Sequence, residues 1–486
     1  MAEKYFHIPG QSASTWSPAG QVQIEIFYPD SATSHTDLNV DIVRIAPIQY
    51  HLEVDPQKGK FRFGYVKIRF YNRDNLFETS GVLNANKTNQ TFCHIKINGS
   101  KFFTGLLKWD QIKKSDWYWN NGNLQYRLIE LTFTDVVEYT LQKTLSDASY
   151  TEGIYFEDLF RNIATMLYLD DIRIHEDFLI QESRGAQYSL NANSYDDGLR
   201  LADMDPNMNL LDFLKLIARG MGMFIYQQNG FLWLRQRDLT TSVVTLDQNK
   251  IARLDKIGDR VAVDFVEVKA TKDWKSAYGG SVAIDNAVYS KSYGTSSANS
   301  NRNVSIDATG ILDHLCVPTP TAGADQIPAG TNYPTAVDTT NYEWLEDVNY
   351  SDFLNPTDYV ESGMLLRINS GGYFFYSIHN ATDAYLYFKN PAARSFTTSD
   401  DYAVFRRKGT SSFPNYDWLF KVYLATNKAA SIYNKVYLQR GDRIKLQYVG
   451  LLNIADALEL YGKRYVIERA TLDIKKNLSI VEAIEL

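Results

Sequence analysis

The stretch "NLLDFLKLIARGMGMFIYQQNGFLWLRQR", Asn209 to Arg237, holds the most sharply specified local structure in the chain. Leu210, Leu211, Phe213, Leu214, Ile217 and Ala218 recur at helical spacing and form one apolar stripe. Asn207 or Asn209 can cap the start of this helix, and Gly220 or Gly222 can end it. "MFIYQQ" and "FLWLRQ" then flank Asn229-Gly230, the dipeptide that favours a type I′ turn between paired strands. The stretch therefore reads as a helix followed by a hairpin, with Leu210, Phe213, Leu214 and Ile217 as core. Phe231 and Trp233 share one face of the second strand, and Leu232 and Leu234 share the other. If both faces are buried, the hairpin lies inside an assembly and not on its surface. Nothing in it is catalytic.

The flanking sequence reads as strands. "QVQIEIFY" alternates Val22, Ile24 and Ile26 against Gln21, Gln23 and Glu25. In "FRFGYVKIRFYNRD" the apolar phase shifts near Gly64, where a bulge is expected. "TFCHIKINGSKFFTGLLKW" is a hairpin about Asn98-Gly99, and "QYRLIELTF" closes a series that suggests a small barrel or sandwich. From Asp147 the period changes. Phe156, Leu159, Phe160, Ile163, Met166 and Leu167 mark a second helix, and the strand-like "IRIHEDFLI" follows it. "RVAVDFVEVKAT" returns to alternation, and polar Ser/Asn-rich and Pro/Thr/Gly-rich segments come next. Short strands with Gly and Asn turns then read as a compact β-module inserted into the chain. "YVIERATLDIKK" and "NLSIVEAIEL" are two final strands, and no further domain is expected after them.

Composition narrows the function classes. A length of 486 residues suggests about three domains. A net charge of -7 argues against a nucleic-acid binder that relies on bulk positive charge. The N-terminus lacks the apolar core of a signal peptide, and no apolar run is long enough to span a bilayer. Two distant cysteines, Cys93 and Cys316, form neither a disulfide framework nor a zinc site, and a reducing cytoplasm fits them. With 33 Tyr, 25 Phe and 8 Trp, the chain favours strands and large buried contacts, including contacts between subunits.

Order and residues together resemble the tail hub proteins of tailed bacteriophages, a family that includes baseplate hubs and the hub part of type VI secretion spike proteins. "VKIRFYNRD", "IKINGSKFFTGLL" and "LIELTFTDVVEYTLQK" look like the first hub barrel. "MNLLDFLKLIARGMGMFIYQQNGFLWLR" is similar to the middle domain, and "YVIERATLDIKKNLSIVEAIEL" to the closing strands of the second barrel. The resemblance covers roughly residues 20–290 and 430–486. It implies a mainly β chain with a minor α+β part. Two tube-like β-barrel domains are expected, with an intervening helix-plus-hairpin domain and an inserted small β-module. The expected ranges are 1–145 for the first barrel, 146–245 for the middle domain, 246–290 plus 430–486 for the second barrel and 291–429 for the insertion.

The resemblance further implies a homotrimer, a pseudo-six-fold ring at the distal end of a tail tube. Its partners would be the tube or a distal tail protein, the tape-measure protein, and tip, spike or fibre proteins. DNA would pass through without specific binding, which an acidic bore would favour. The expected location is the virion tail, assembled in the bacterial host cytoplasm. The runner-up reading is a β-rich carbohydrate-binding, receptor-recognition tail protein, and a third is a glycan-cleaving tail enzyme.

Candidate chemistry is sparse, and no enzyme and no cofactor is expected. Asp203, Asp205 and Asn207 space oxygen side chains as a calcium loop does, but Met208 and Leu214 stand where Gly and Glu are needed. The plainer reading is a polar loop with a helix cap. His175, Glu176 and Asp177 would need distant partners to hold a metal. No Walker A sequence, G-x-S-x-G elbow or H-E-x-x-H pattern occurs. Trp117 and Trp119, in "WYWNNGN", and Tyr373, Tyr376, Tyr385 and Tyr387 in the inserted module are candidate contacts with host surface glycan or with a neighbouring subunit.

Overall fold

The computed structural model describes residues 3–8, 22–29, 42–51, 63–73, 91–115, 118–120, 123–181, 187–192, 197–201, 204–239, 241–260, 263–272, 287–295, 303–312, 314–316, 342–349, 366–370, 373–379, 384–389, 401–407, 418–438 and 441–486. The chain is mainly β. Its largest element is a 16-stranded sheet built from both ends of the chain and from residues 243–260 in its middle.

One lobe of this sheet comes from the N-terminal third. Glu3–Ile8, Val22–Pro29, Phe92–Ile97, Ser100–Leu107, Asn123–Asp135 and Tyr65–Arg73 lie side by side in that order. Asn98 and Gly99, at φ 51° and 82°, make the tight turn between Phe92–Ile97 and Ser100–Leu107. Gly64 lies just before the strand Tyr65–Arg73. A Cβ there would stand 1.9 Å from the Gln49 carbonyl oxygen, so the close approach of two backbones excludes any larger residue.

The other lobe is Lys463–Asp473, Leu478–Glu485, Gly441–Val449 and Ile251–Arg260, with Ala457–Leu460 and Val243–Thr245 branching from it. The lobes are joined edge to edge. Ile48–His51 pairs antiparallel with Lys463–Asp473, setting Tyr50 opposite Ala470 and Ile48 opposite Leu472. One cluster of buried side chains runs through both lobes, from Ile24, Ile68 and Phe133 to Leu446, Ile467 and Val481.

A second core fills an α+β body beside the lobes. We label its helices α1 (Phe156–Met166), α2 (Leu210–Gly220), α3 (Thr309–Leu312) and α4 (Trp418–Tyr437). The hairpin Met223–Gln228/Phe231–Gln236 takes Asp171–His175 as a parallel third strand. On α2, Leu210, Phe213, Leu214 and Ile217 are fully buried. Asn209 caps this helix, its side chain accepting from the Leu211 N–H at 3.0 Å. Gly222, at φ +66°, follows the last turn.

Two segments lie elsewhere than alternation alone suggests. Phe265–Lys272, a strand by its period of two and grouped with the second barrel through the resemblance, instead pairs with Ala287–Gly294 and Asn303–Asp307 in a separate sheet. Its buried face, Val266, Val268 and Ala270, joins the core of the α+β body. Residues 418–437, to which the sequence reading gave no element, form a helix. The five-stranded sheet between residues 342 and 407 is entered after Leu315–Cys316 and left into α4, two elements that touch each other. The inserted module therefore springs from the α+β body.

Helix α2 packs closely on α3. A Cβ at Gly220 would lie 2.2 Å from Cγ2 of Ile311. Gly220→Ala is expected to cost about 1–3 kcal/mol of stability through overpacking, read as a lowered midpoint in urea unfolding.

Candidate functional site: a hairpin clamped between two sheet lobes

No catalytic constellation gathers among the described residues. The site that the fold builds is a joint, centred on the hairpin Met223–Gln236. Met223, Phe224, Ile225, Tyr226, Gln227 and Gln228 are all buried, although a strand exposed on one face would alternate. Met223 and Ile225 face the core of the α+β body, whereas Phe224 and Tyr226 face the core of the lobes. The hairpin is thus a wall shared by two cores.

Its last two residues show how the wall is fixed. Consecutive strand residues point to opposite faces, so Gln227 and Gln228 reach different neighbours. The Gln227 carboxamide accepts from the Thr104 N–H and donates to the Thr104 carbonyl, both at 3.2 Å. It completes the edge of a first-lobe strand as a neighbouring backbone would. The Gln228 carboxamide donates to the Leu452 carbonyl at 3.2 Å and accepts from the Ile454 N–H at 2.9 Å, in the second lobe. The turn adds a backbone bond, from the Asn229 N–H to the Phe102 carbonyl at 3.0 Å.

Arg235, fully buried, gives the second lobe a further hold. Nη1 donates to the Ile454 carbonyl at 2.7 Å and Nη2 to the Ile467 carbonyl at 2.9 Å. Its guanidinium lies 4.8 Å from the centre of the Phe224 ring. Burial brings its pKa down to about 10, so the group stays charged at neutral pH.

A cleft of about 730 Å³ opens where the two turns meet, lined by Ile97, Lys101, Phe102, Asp170, Phe231 and Leu451 among others. Lys101 Nζ spans it, bonded to Asp170 at 2.7 Å and to the Tyr168 carbonyl at 3.0 Å.

No family profile and no curated protein matches this chain. Among solved structures it is similar to prophage tail protein gp18 from Listeria monocytogenes EGD-e, at 10% identity and a TM-score of 0.25, over 76% of this chain and 89% of that one. It is also similar to the lidless PdpA-VgrG complex, at 11% identity and a TM-score of 0.27, over 82% of this chain and 66% of that one. The half-lidded Francisella PdpA-VgrG complex follows at 9% identity and a TM-score of 0.26, over 85% and 59% of the two chains.

The residues singled out from sequence are scattered and do not gather into one site. Asp203 and Trp117 lie outside the described residues. Asp205 accepts from the Asn207 N–H at 2.9 Å, a local turn that leads into α2. Among the described residues no three His, Cys, Asp or Glu side chains gather as a metal site would require. Asp177 accepts from the Leu190 N–H at 2.9 Å, and Glu176 from the Thr241 N–H. Trp119 belongs to the short strand Tyr118–Asn120, opposite Leu124. In the inserted sheet, Tyr376 pairs with Tyr387 and Tyr385 with Ile378, which puts Tyr376, Tyr385 and Tyr387 on one face. Tyr373, three positions from Tyr376, falls on the opposite face. Gln227, Gln228 and Arg235 were not singled out. The available signal was a polar pair in a hairpin whose other residues are mostly apolar.

Asp135 is a second buried group of the first lobe. It caps the turn that starts at Val136, accepting from the Val137 N–H at 3.0 Å. Burial pushes its carboxyl up to about 7, against the Val137 bond that lowers it, with nearby Glu138 adding to the rise. A folded pKa above the unfolded one gives stability that is complete below the unfolded value and is lost as pH rises through the folded value. The wild-type chain should therefore lose stability as pH rises from about 4 to about 7, by at most about 1.4 kcal/mol per pH unit, and level off above that, with Asp135→Asn largely removing the slope in urea titrations.

For the clamp, Gln227→Leu leaves both polar groups of Thr104 unpaired and is expected to cost about 2–4 kcal/mol. Gln227→Glu should be as damaging at pH 8 and partly recover at pH 4.5. A protonated carboxyl can again donate to Thr104, so melting curves at the two pH values would separate the variants.

Proposed function

We propose that this chain is a tail hub, a structural virion protein at the distal end of a phage tail tube, and that its role is not enzymatic. The carrying observation is the pair of lobes joined edge to edge through Ile48–His51 and Lys463–Asp473, with the α+β body keyed between them by one hairpin. A chain with two fused lobes supplies two positions to a ring, so three chains supply six and match a six-fold tube. The partners in this reading are the tube or a distal tail protein, the tape-measure protein, and tip, spike or fibre proteins. The ring leaves a channel through which DNA passes without specific contacts. The chain would be assembled in the host cytoplasm and reside in the virion tail.

A glycan-recognition reading keeps one supporting observation. Tyr376, Tyr385 and Tyr387 share a face of the inserted sheet, and aromatic rows suit the apolar faces of sugars. In this reading the module serves attachment and the rest of the chain serves assembly. Loss of binding to host envelope polysaccharide after Tyr376→Ala/Tyr387→Ala would support it, and undiminished binding would remove it.

The hub reading is tested by negative-stain electron microscopy of the purified chain. Three-fold rings are expected. Uniform monomers or two-fold particles would reject it.

A further inference from the structure

The main path of the 16-stranded sheet ends at Glu3–Ile8 on the first lobe and at Ile251–Arg260 on the second. The edge of the second lobe is ten residues long and largely exposed. It carries Leu254, 36% exposed, and Ile257, 46% exposed, with Val449, 47% exposed, on the strand beside it. Leu254 pairs across the ladder with Leu446, which is fully buried, so the apolar face continues to the rim of the sheet with its last residue uncovered. A long edge of this kind attracts a further strand unless something blocks it. Proline, a common block, is absent from it, and its charged side chains, a second kind of block, are engaged with one another and with the next strand: Arg253 with Asp255, and Lys256 with Asp259 and Asp442. The ladder is irregular at Ile251/Arg253 and Lys256/Gly258, which leaves Arg253–Lys256 as the regular stretch where a further strand can pair.

The chain itself shows how its lobes join. The inner edge strand of the first lobe pairs with the inner edge strand of the second, and one core runs across that seam. These two ends of the main path, six and ten residues long, are long enough for the same lobe-to-lobe junction to be made between copies. We propose that Ile251–Arg260 is the seam between copies of this chain, and that Glu3–Ile8 of a second copy adds to it as the next strand. This head-to-tail contact propagates a single sheet and closes only as a ring. It rests on the ring reading above and names the surface that forms the ring.

The test compares the full-length wild-type chain with two surface variants by native mass spectrometry and melting temperature. Leu254→Lys/Ile257→Asp should fall to the mass of a single chain with an unchanged melting temperature. Val244→Asp alters an exposed apolar residue on a different strand and should assemble as the wild type does. A wild type that assembles alongside an equally assembled Leu254→Lys/Ile257→Asp overturns the seam and leaves the ring. A wild type that is monomeric at all concentrations overturns the ring reading and the seam with it. Where the double variant melts early, cysteine pairs decide. Lys256→Cys combined in turn with cysteine at positions 4, 5 and 6 should give chains linked to one another on oxidation. No linkage from any of the pairs overturns Glu3–Ile8 as the partner strand.

Discussion

Two adjacent glutamines hold three parts of this molecule in register. The period of two in a strand sends Gln227 to one side of the hairpin and Gln228 to the other, and each carboxamide offers one donor and one acceptor. Each meets backbone groups of a different lobe. A side chain that completes both partners of a backbone edge tolerates little displacement, because a shift exposes two buried polar groups together. Arg235 extends the same constraint to Ile454 and Ile467. The hairpin cannot leave one core without disturbing the other, so the lobes and the α+β body act as one piece.

That rigidity suits an assembly role. The two lobes present a continuous sheet, and their relative angle is set by the Ile48–His51 ladder on one side and by the hairpin on the other. A ring built from such chains inherits its geometry from within each chain, and the contacts between copies need only repeat it. The inserted module is separate from this frame. Along the chain it lies between Leu315–Cys316 and α4, both parts of the α+β body, and its five strands form a sheet of their own.

Much of the local structure was legible in the sequence. Asn98-Gly99 and Asn229-Gly230 specify their turns through backbone angles that few other residues accept. The cap at Asn209 and the stripe on α2 follow from spacing. Pairings between distant segments were not legible, since alternation shows that Phe265–Lys272 is a strand but not which strands lie beside it. Helix α4 escaped because much of its buried face is small: Ala425, Ala429 and Ala430, beside Ile432 and Tyr433, give little contrast to a periodicity reading. The clamp escaped for a related reason. A Gln at a strand end reads as solvent-facing until the backbone it completes is in view.

The central claim is that Gln227 and Gln228 bind the lobes into one cooperative unit, and amide hydrogen exchange tests it most directly. The Thr104 and Ile454 N–H groups are bonded to these side chains. If the clamp opens only when the molecule unfolds, both amides exchange as slowly as those in the middle of the Ile48–His51/Lys463–Asp473 ladder, and at the same rate as each other. Exchange of either amide orders of magnitude faster than that ladder would mean that the hairpin lifts away by itself, and would contradict the account.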